Sequence, residues 1–173
     1  MQAYFTDRSM QKKTFADFDC AIAQTLEQIG DWWTLLILRN AFHRMRHFDQ
    51  FQENLGIPTN TLSNRLKKLT DSGILYREKS KKDGRSYEYR LTEKGLDLYP
   101  VIIALFQWGE RWYARPHGPR MTLTDRATGE EIPQMQVRNK NGDVMKARDV
   151  LPALGPGAGH QVSDLLYHDM RKV

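Results

Sequence analysis

A mostly helical α+β fold is expected for this chain on three observations. Two short amphipathic helical patterns meet at Gly56-Ile57-Pro58, and a basic segment, Ser80-Lys81-Lys82-Asp83-Gly84-Arg85, separates two runs that alternate at strand period. A long apolar helical pattern then runs from Thr92 to Trp112. Helix, turn, helix, hairpin and long helix, in that order, is the layout of a winged helix-turn-helix, which points to double-stranded DNA as the partner.

Composition sets the frame. The chain has 173 residues, 40% hydrophobic and 27% charged, enough for one packed domain and an appendage. Its longest apolar run falls well short of the ~20 residues of a membrane helix. Met1 to Lys13 lacks the apolar core of a signal peptide, so a cytoplasmic location is expected. The single cysteine, Cys20, excludes a disulfide framework within one chain and any zinc site built on several cysteines. Between Thr61 and Arg90 nine basic residues face four acidic ones, which accounts for the whole net charge of +5. A basic stripe in an otherwise neutral chain is the electrostatic footprint of phosphate contact, although a solvated surface would look the same on charge alone.

The elements follow in order. Ile22, Leu26 and Ile29 recur at helical spacing over Cys20 to Ile29, with Asp17 or Asp19 available to cap the first turn. Gly30-Asp31 restarts the chain, and Trp32 to Phe42 is apolar nearly all round, as a buried central helix would be. A loop with Arg44, Arg46 and His47 leads to a short helix marked by Phe48, Phe51 and Leu55.

Gly56 and Pro58 stop that helix, and the next begins at Pro58 or Thr59. Leu62, Leu66 and Leu69 mark its buried stripe. The residues Thr59, Asn60, Thr61, Asn64, Lys67 and Lys68 then project outward, with Arg65 at the margin. Asparagine can pair with adenine through two bonds, and lysine or arginine neutralises phosphate, so these are the candidate DNA contacts of a recognition helix. Asp71-Ser72-Gly73 ends it. Ile74 to Lys79 and Ser86 to Leu91 pair as strands around an Asp-Gly turn, which places Lys81, Lys82 and Arg85 on an exposed wing.

Thr92 opens the long helix, with a kink expected at Pro100. From Leu98 to Trp108 it is apolar on more than one face, and a winged-helix core covers only one. A second copy of the chain is therefore expected against Tyr99, Ile102, Leu105, Phe106 and Trp108, with Ile22 and Leu26 of the first helix contributing. The competing arrangement has the C-terminal segment fold back over this face.

Six stretches carry a resemblance: Cys20-Ala-Ile-Ala-Gln-Thr-Leu, Ile29-Gly-Asp-Trp-Trp-Thr-Leu-Leu-Ile-Leu-Arg39, Thr61-Leu-Ser-Asn-Arg-Leu-Lys-Lys-Leu69, Gly73-Ile-Leu, Tyr89-Arg-Leu-Thr-Glu-Lys-Gly95 and Trp108-Gly-Glu-Arg-Trp112. Together they resemble the HxlR-type winged-helix transcription regulators of bacteria, over about residues 18 to 112. The resemblance implies a homodimeric regulator of palindromic promoter DNA, with repression favoured over activation. It places the recognition helix over Thr59 to Leu69, the wing over Lys79 to Arg85, and the first and long helices near the interface. Pro58 departs from the serine cap that relatives often carry.

The same resemblance bears on Cys20, because some members use a cysteine near the start of the first helix to sense oxidants or electrophiles. A helix N-terminus favours the thiolate while Asp17 and Asp19 oppose it; the alternative is a small buried residue beside Ile22. Residues 114–153 are read as a small β appendage of two hairpins, over Met121 to Ile132 and Gln134 to Met145, resembling the zinc-ribbon-like extension of some members but without its cysteines. His117 and Asp125 do not suffice as metal ligands, so neither metal nor cofactor is expected. Residues 1–17 are read as an N-terminal arm, 18–113 as the DNA-binding and dimerisation domain, and 154–173 as a flexible joint and tail, with a short helix open over Val162 to Met170.

No enzyme motif appears, and His43 and His47, four apart, fall in or beside a loop. The rivals to a DNA reader are a small-molecule module, with Trp32, Trp33, Phe106, Trp108 and Trp112 lining a pocket between the first and long helices, and a protein-protein adaptor. A small-molecule effector is also compatible with DNA binding.

Overall fold

The computed structural model describes residues 14–81 and 84–160. Lys82, Asp83, most of the N-terminal arm and the helix or tail expected over 162–170 lie outside them. The chain divides into two compact units, one holding the segments up to Gly30 and from Ala153, the other Asp31–Pro152.

The first unit contains helix α1, Ala21–Ile29. Its N-cap is Cys20, in extended backbone and without a side-chain cap bond. Neither Asp17 nor Asp19 is the N-cap, and the Asp19 carboxylate accepts from the Gly159 N–H at 2.7 Å. Ile29 is buried.

The second unit begins with α2, Trp32–Phe42, where Asp31 Oδ1 accepts from the Thr34 N–H at 3.2 Å. Helix α3, Phe48–Leu55, ends at Gly56, whose φ of 61° lies in the left-handed region, where glycine escapes the Cβ penalty other residues meet. Ile57 is buried in the turn and Pro58 serves as N-cap of α4, Thr59–Asp71. The expected stripe of α4 is buried as read: Leu62, Leu66 and Leu69 join Ile37 and Leu38 of α2 and Phe51 of α3 in the core.

Strands β1, Leu75–Lys79, and β2, Tyr87–Leu91, pair antiparallel from Leu75↔Leu91 to Lys79↔Tyr87. Their burial differs from the alternation expected. Tyr87 is exposed and Glu88 is buried, because Glu88 turns toward Ser80, His47 and Arg90, whereas Tyr87 stacks on the guanidinium of Arg77 at 3.5 Å from its ring centroid. The loop before α3 adds a third edge, with an isolated bridge between His47 and Glu88 and a bond from the Tyr89 N–H to the Arg46 carbonyl at 2.8 Å.

The long helix is two helices, α5 over Glu93–Leu96 and α6 over Tyr99–Trp112. Pro100 does not kink a continuous helix. It stands in the first turn of α6, where its missing N–H removes no helical bond and its fixed φ suits a helix start. Thr92 caps α5 through the Gly95 N–H at 3.1 Å while donating to the Gly73 carbonyl at 2.6 Å, which ties α5 to the end of α4. Gly95 is obligatory there, since a Cβ would lie 2.2 Å from the Ile74 carbonyl oxygen.

Beyond α6 the expected turns form but the expected strands do not. Asp125 accepts from the N–H groups of Ala127 and Thr128, and Asn139 from those of Asn141 and Asp143, which closes two tight turns. Each hairpin then carries one isolated bridge, Thr124↔Glu131 or Arg138↔Val144, and nearly every side chain is exposed. With no apolar layer behind them, the strand pairs have nothing to bury and stop after a single rung. This segment meets α6 through polar side chains and does not cover its apolar face, where Tyr99, Leu105 and Trp108 stay exposed. The Gln107 amide bonds both the Pro133 carbonyl, at 3.1 Å, and the Met135 N–H, at 2.7 Å, and Glu110 holds the Arg120 N–H and guanidinium.

Candidate nucleic-acid interface

The outward face of α4 is built by what lies beneath it. With three leucines anchored in the core, Asn60, Asn64 and Lys67 are exposed and Thr61 and Lys68 half-buried at its edge. Thr59, at the first turn, is not left to rotate, because its hydroxyl accepts from the Gln52 side chain of α3 at 2.7 Å. Fixing that side chain before a partner arrives reduces the ordering cost of contact.

Arg65 is placed differently from its neighbours. Its guanidinium donates to Asp31 Oδ2 at 2.8 Å, while the other oxygen of the same carboxylate caps α2. Arg65 therefore locks α4 to α2, and as it stands its charge is spent on Asp31 rather than offered outward. Lys67 is paired with Asp71 one turn on. That pair is exposed, and such i, i+4 pairs are worth a few tenths of a kcal/mol, about 0.3–0.5, so phosphate can displace it.

A buried polar network seats α3 on α2. Asn40, fully buried, accepts from Arg39 at 2.8 and 3.0 Å and donates to Asn54 at 2.8 Å. Helix α3 is started by the Gln50 side chain, which accepts from the Arg46 and His47 N–H groups at 2.9 and 3.1 Å.

The wing is braced at its root. Arg90 bridges Glu78 and Glu88, Ser80 donates to Glu88 at 3.2 Å, and His47 Nε2 lies 4.0 Å from the same carboxylate. The Arg90 hydrogen bond, helped by Ser80 and against the opposing effect of burial, holds the Glu88 carboxyl below its usual range. Glu88 in turn raises Arg90. The Ser80 N–H closes the hairpin on the Ser86 carbonyl at 2.9 Å. Beyond this root, Lys79, Lys81 and Arg85 are exposed.

Sequence reading did not find Gln52, Asp31 or the third edge at Arg46-His47. Gln52 and Asp31 carry no motif, and two polar residues in a loop give no strand signal. Nor did it find that Arg44 sits at φ 66°, a region that non-glycine residues seldom occupy.

The other predicted residues are placed as follows. Cys20 is partly exposed at the start of α1. Among the apolar residues expected at a dimer interface, Ile22, Leu26, Tyr99, Leu105 and Trp108 are exposed, at 72, 51, 44, 48 and 56%. Ile102 is not available to a second copy, because it lies on the inner side of α6 in the chain's own core. Phe106 is half-buried and lines a cavity between α2 and α6, alone among the five aromatics expected to share a pocket; Trp108 instead packs edge-on against Tyr113. No group of three metal-ligating side chains occurs among the described residues, and none of their helices is long and apolar enough to cross a membrane.

Residues 28–117 match the model of the HxlR-like helix-turn-helix family. The uncharacterised HTH-type transcriptional regulator Rv3095 of Mycobacterium tuberculosis is 42% identical over 137 residues, 79% of this chain and 87% of the relative. Among solved structures, PA1607, a candidate transcription factor, superposes with a TM-score of 0.77 at 35% identity, covering 82% of this chain and 99% of that one. The redox regulator HypR in its reduced form superposes with a TM-score of 0.50 at 26% identity, over 55% of this chain and 95% of that one.

Proposed function

From the premise that this chain belongs to the HxlR-like helix-turn-helix family of transcription regulators, we propose that it acts as a homodimeric, sequence-specific repressor reading a two-fold operator. The single observation that carries the reading is the outer face of α4, where Asn60 and Asn64 stand exposed beside Thr59, which Gln52 has already fixed. Asn60 and Asn64 read base edges, Lys67 and Lys68 neutralise phosphate, and Lys81, Lys82 and Arg85 of the wing touch the adjoining backbone. Arg65 contributes by orientation through Asp31 unless DNA draws it away.

A second copy covers the exposed apolar side chains of α6, Tyr99, Leu105 and Trp108, and separately those of α1. Oxidant-driven disulfide formation between two Cys20 thiols, or modification of each singly, alters the spacing of the two reading heads. The similarity to a protein described as a redox regulator supports that input.

The test is purified protein titrated onto the promoter fragment flanking its own gene at several salt concentrations. A log-log slope of about −0.9 per phosphate neutralised, with protection of an inverted repeat, is expected. Salt-insensitive binding, or none, would sink the reading. For Cys20, equal operator affinity of diamide-treated wild type, untreated wild type and Cys20→Ser would remove the redox input.

A further inference from the structure

An open-sided pocket of about 430 Å³ lies between α2, α6 and the start of the appendage. That falls in the roughly 300–1,000 Å³ range of small-molecule sites. Leu36, Phe42, Ile103 and Leu123 are among its apolar walls, and Tyr99 and Leu105, which the proposed second copy also touches, form its rim. Of its twelve lining residues none is acidic, and Arg39 and His43, one helical turn apart at the end of α2 and both solvent-exposed, are the two basic ones. The carbonyl end of α2 lies there too, but its partial charge is smaller than the full charge on Arg39.

Arg39 also belongs to the network that seats α3. Its Nε and Nη2 donate to Asn40 Oδ1 at 3.0 and 2.8 Å, and Nη2 reaches Asn54 Oδ1 of α3 at 3.4 Å. One side chain therefore lines the cavity and holds the first helix of the helix-turn-helix.

We propose that this cavity binds a small apolar carboxylate, its hydrocarbon body among the aliphatic walls and its anionic head on Arg39 and His43. A carboxylate makes a stronger, bidentate pair with a guanidinium than two amide oxygens do. Occupancy therefore draws Arg39 from Asn40 and Asn54, loosens α3 against α2 and lowers DNA affinity. This consequence rests on the DNA-binding reading; the binding itself does not.

The experiment uses the full chain with octanoate and 1-octanol, which share a body and differ in charge. Calorimetry should show saturable octanoate binding and binding of 1-octanol about tenfold weaker or less. Arg39→Gln should erase that difference. Leu36→Trp and, on the opposite wall, Leu123→Trp should abolish both, the pair guarding against one variant failing to fold. No saturable octanoate binding, as would follow if a second copy fills the cavity, overturns the site. So does equal binding of the two probes, or undiminished binding by folded Leu123→Trp. Operator affinity is then measured with and without saturating octanoate, and unchanged affinity overturns the coupling. If the chain binds no operator even without octanoate, the DNA-binding reading and with it the coupling fail, while calorimetry still decides the site.

Discussion

The wing and the appendage are built from the same local device and reach different ends. Both reverse the chain between runs of mixed polarity. In the wing the turn is followed by five paired residues, a third edge at Arg46-His47, and a carboxylate, Glu88, buried with partners on three sides. In the appendage, turns closed at least as carefully by Asp125 and Asn139 lead to one bridge each. The difference lies behind the strands. At the start of β1, Leu75 and the preceding Ile74 are sunk in the helical core, whereas Val137 and Val144 face solvent at 64 and 52% exposure. A turn specifies where a chain reverses, and burial specifies whether it stays paired.

The largest effect that would break this contrast is in the core itself. Leu66→Ala should cost about 2–5 kcal/mol in urea unfolding, whereas Val137→Ala should stay within about 0.5 kcal/mol. Comparable losses would mean that the appendage carries a core of its own. Next comes recognition. Asn64→Ala should reduce discrimination at one base pair of the operator by about 1–3 kcal/mol, read by competition with single-base operator variants, and a uniform loss across all sequences would reassign it to phosphate. The two regions also carry comparable cations. Lys68→Ala should flatten the salt dependence of operator binding by about 0.9 in log-log slope, while Lys140→Ala, in the second appendage turn, should leave it unaltered. An equal change from both would bring the appendage onto the DNA.

The smallest effect is in acid. Arg90 lowers the Glu88 carboxyl in the folded chain, so its stabilisation is complete above the unfolded carboxyl value, about 4.3, and drains away as pH falls through the lower folded value. Glu88→Gln should therefore flatten the fall in melting temperature below about pH 4.3. Glu110, lowered chiefly by the Arg120 N–H, follows the same sign, but Glu110→Gln should show itself as faster proteolysis of residues 114–152 with the helical transition unmoved. A shared shift in both variants would join the regions into one cooperative unit.

Periodicity made most of the helical frame legible. The leucine stripe of α4, the Gly56 turn and the burial of α2 residues follow from spacing and from what glycine and proline permit. Spacing could not reveal bonds between elements distant in the chain. Nothing near Arg65 announces that Asp31 will hold it, and nothing near Thr59 names Gln52. Nor could alternation along β2 say that Glu88 would be covered and Tyr87 exposed, because it gives two faces without saying which is buried. Ile102 was placed at an interface because an apolar helix shows the amount of apolar surface before it shows how much of it its own chain uses. The cavity beside Arg39 was missed because its walls come from three elements, and the five aromatics were grouped by type rather than by position.

Asp31 closes a loop of 34 residues to Arg65 while capping its own helix through the other oxygen. One carboxylate thus takes part in a contact that can form within a microsecond and in one that must wait for α4 to arrive. In a chevron plot the distant contact can be timed with the cap left in place. Asp31→Asn keeps a capping oxygen and loses the charge, and Arg65→Met removes the distant partner alone. If the α2–α4 docking belongs to the folding nucleus, both slow the folding limb; if it forms late, both speed unfolding and leave the folding limb where it was.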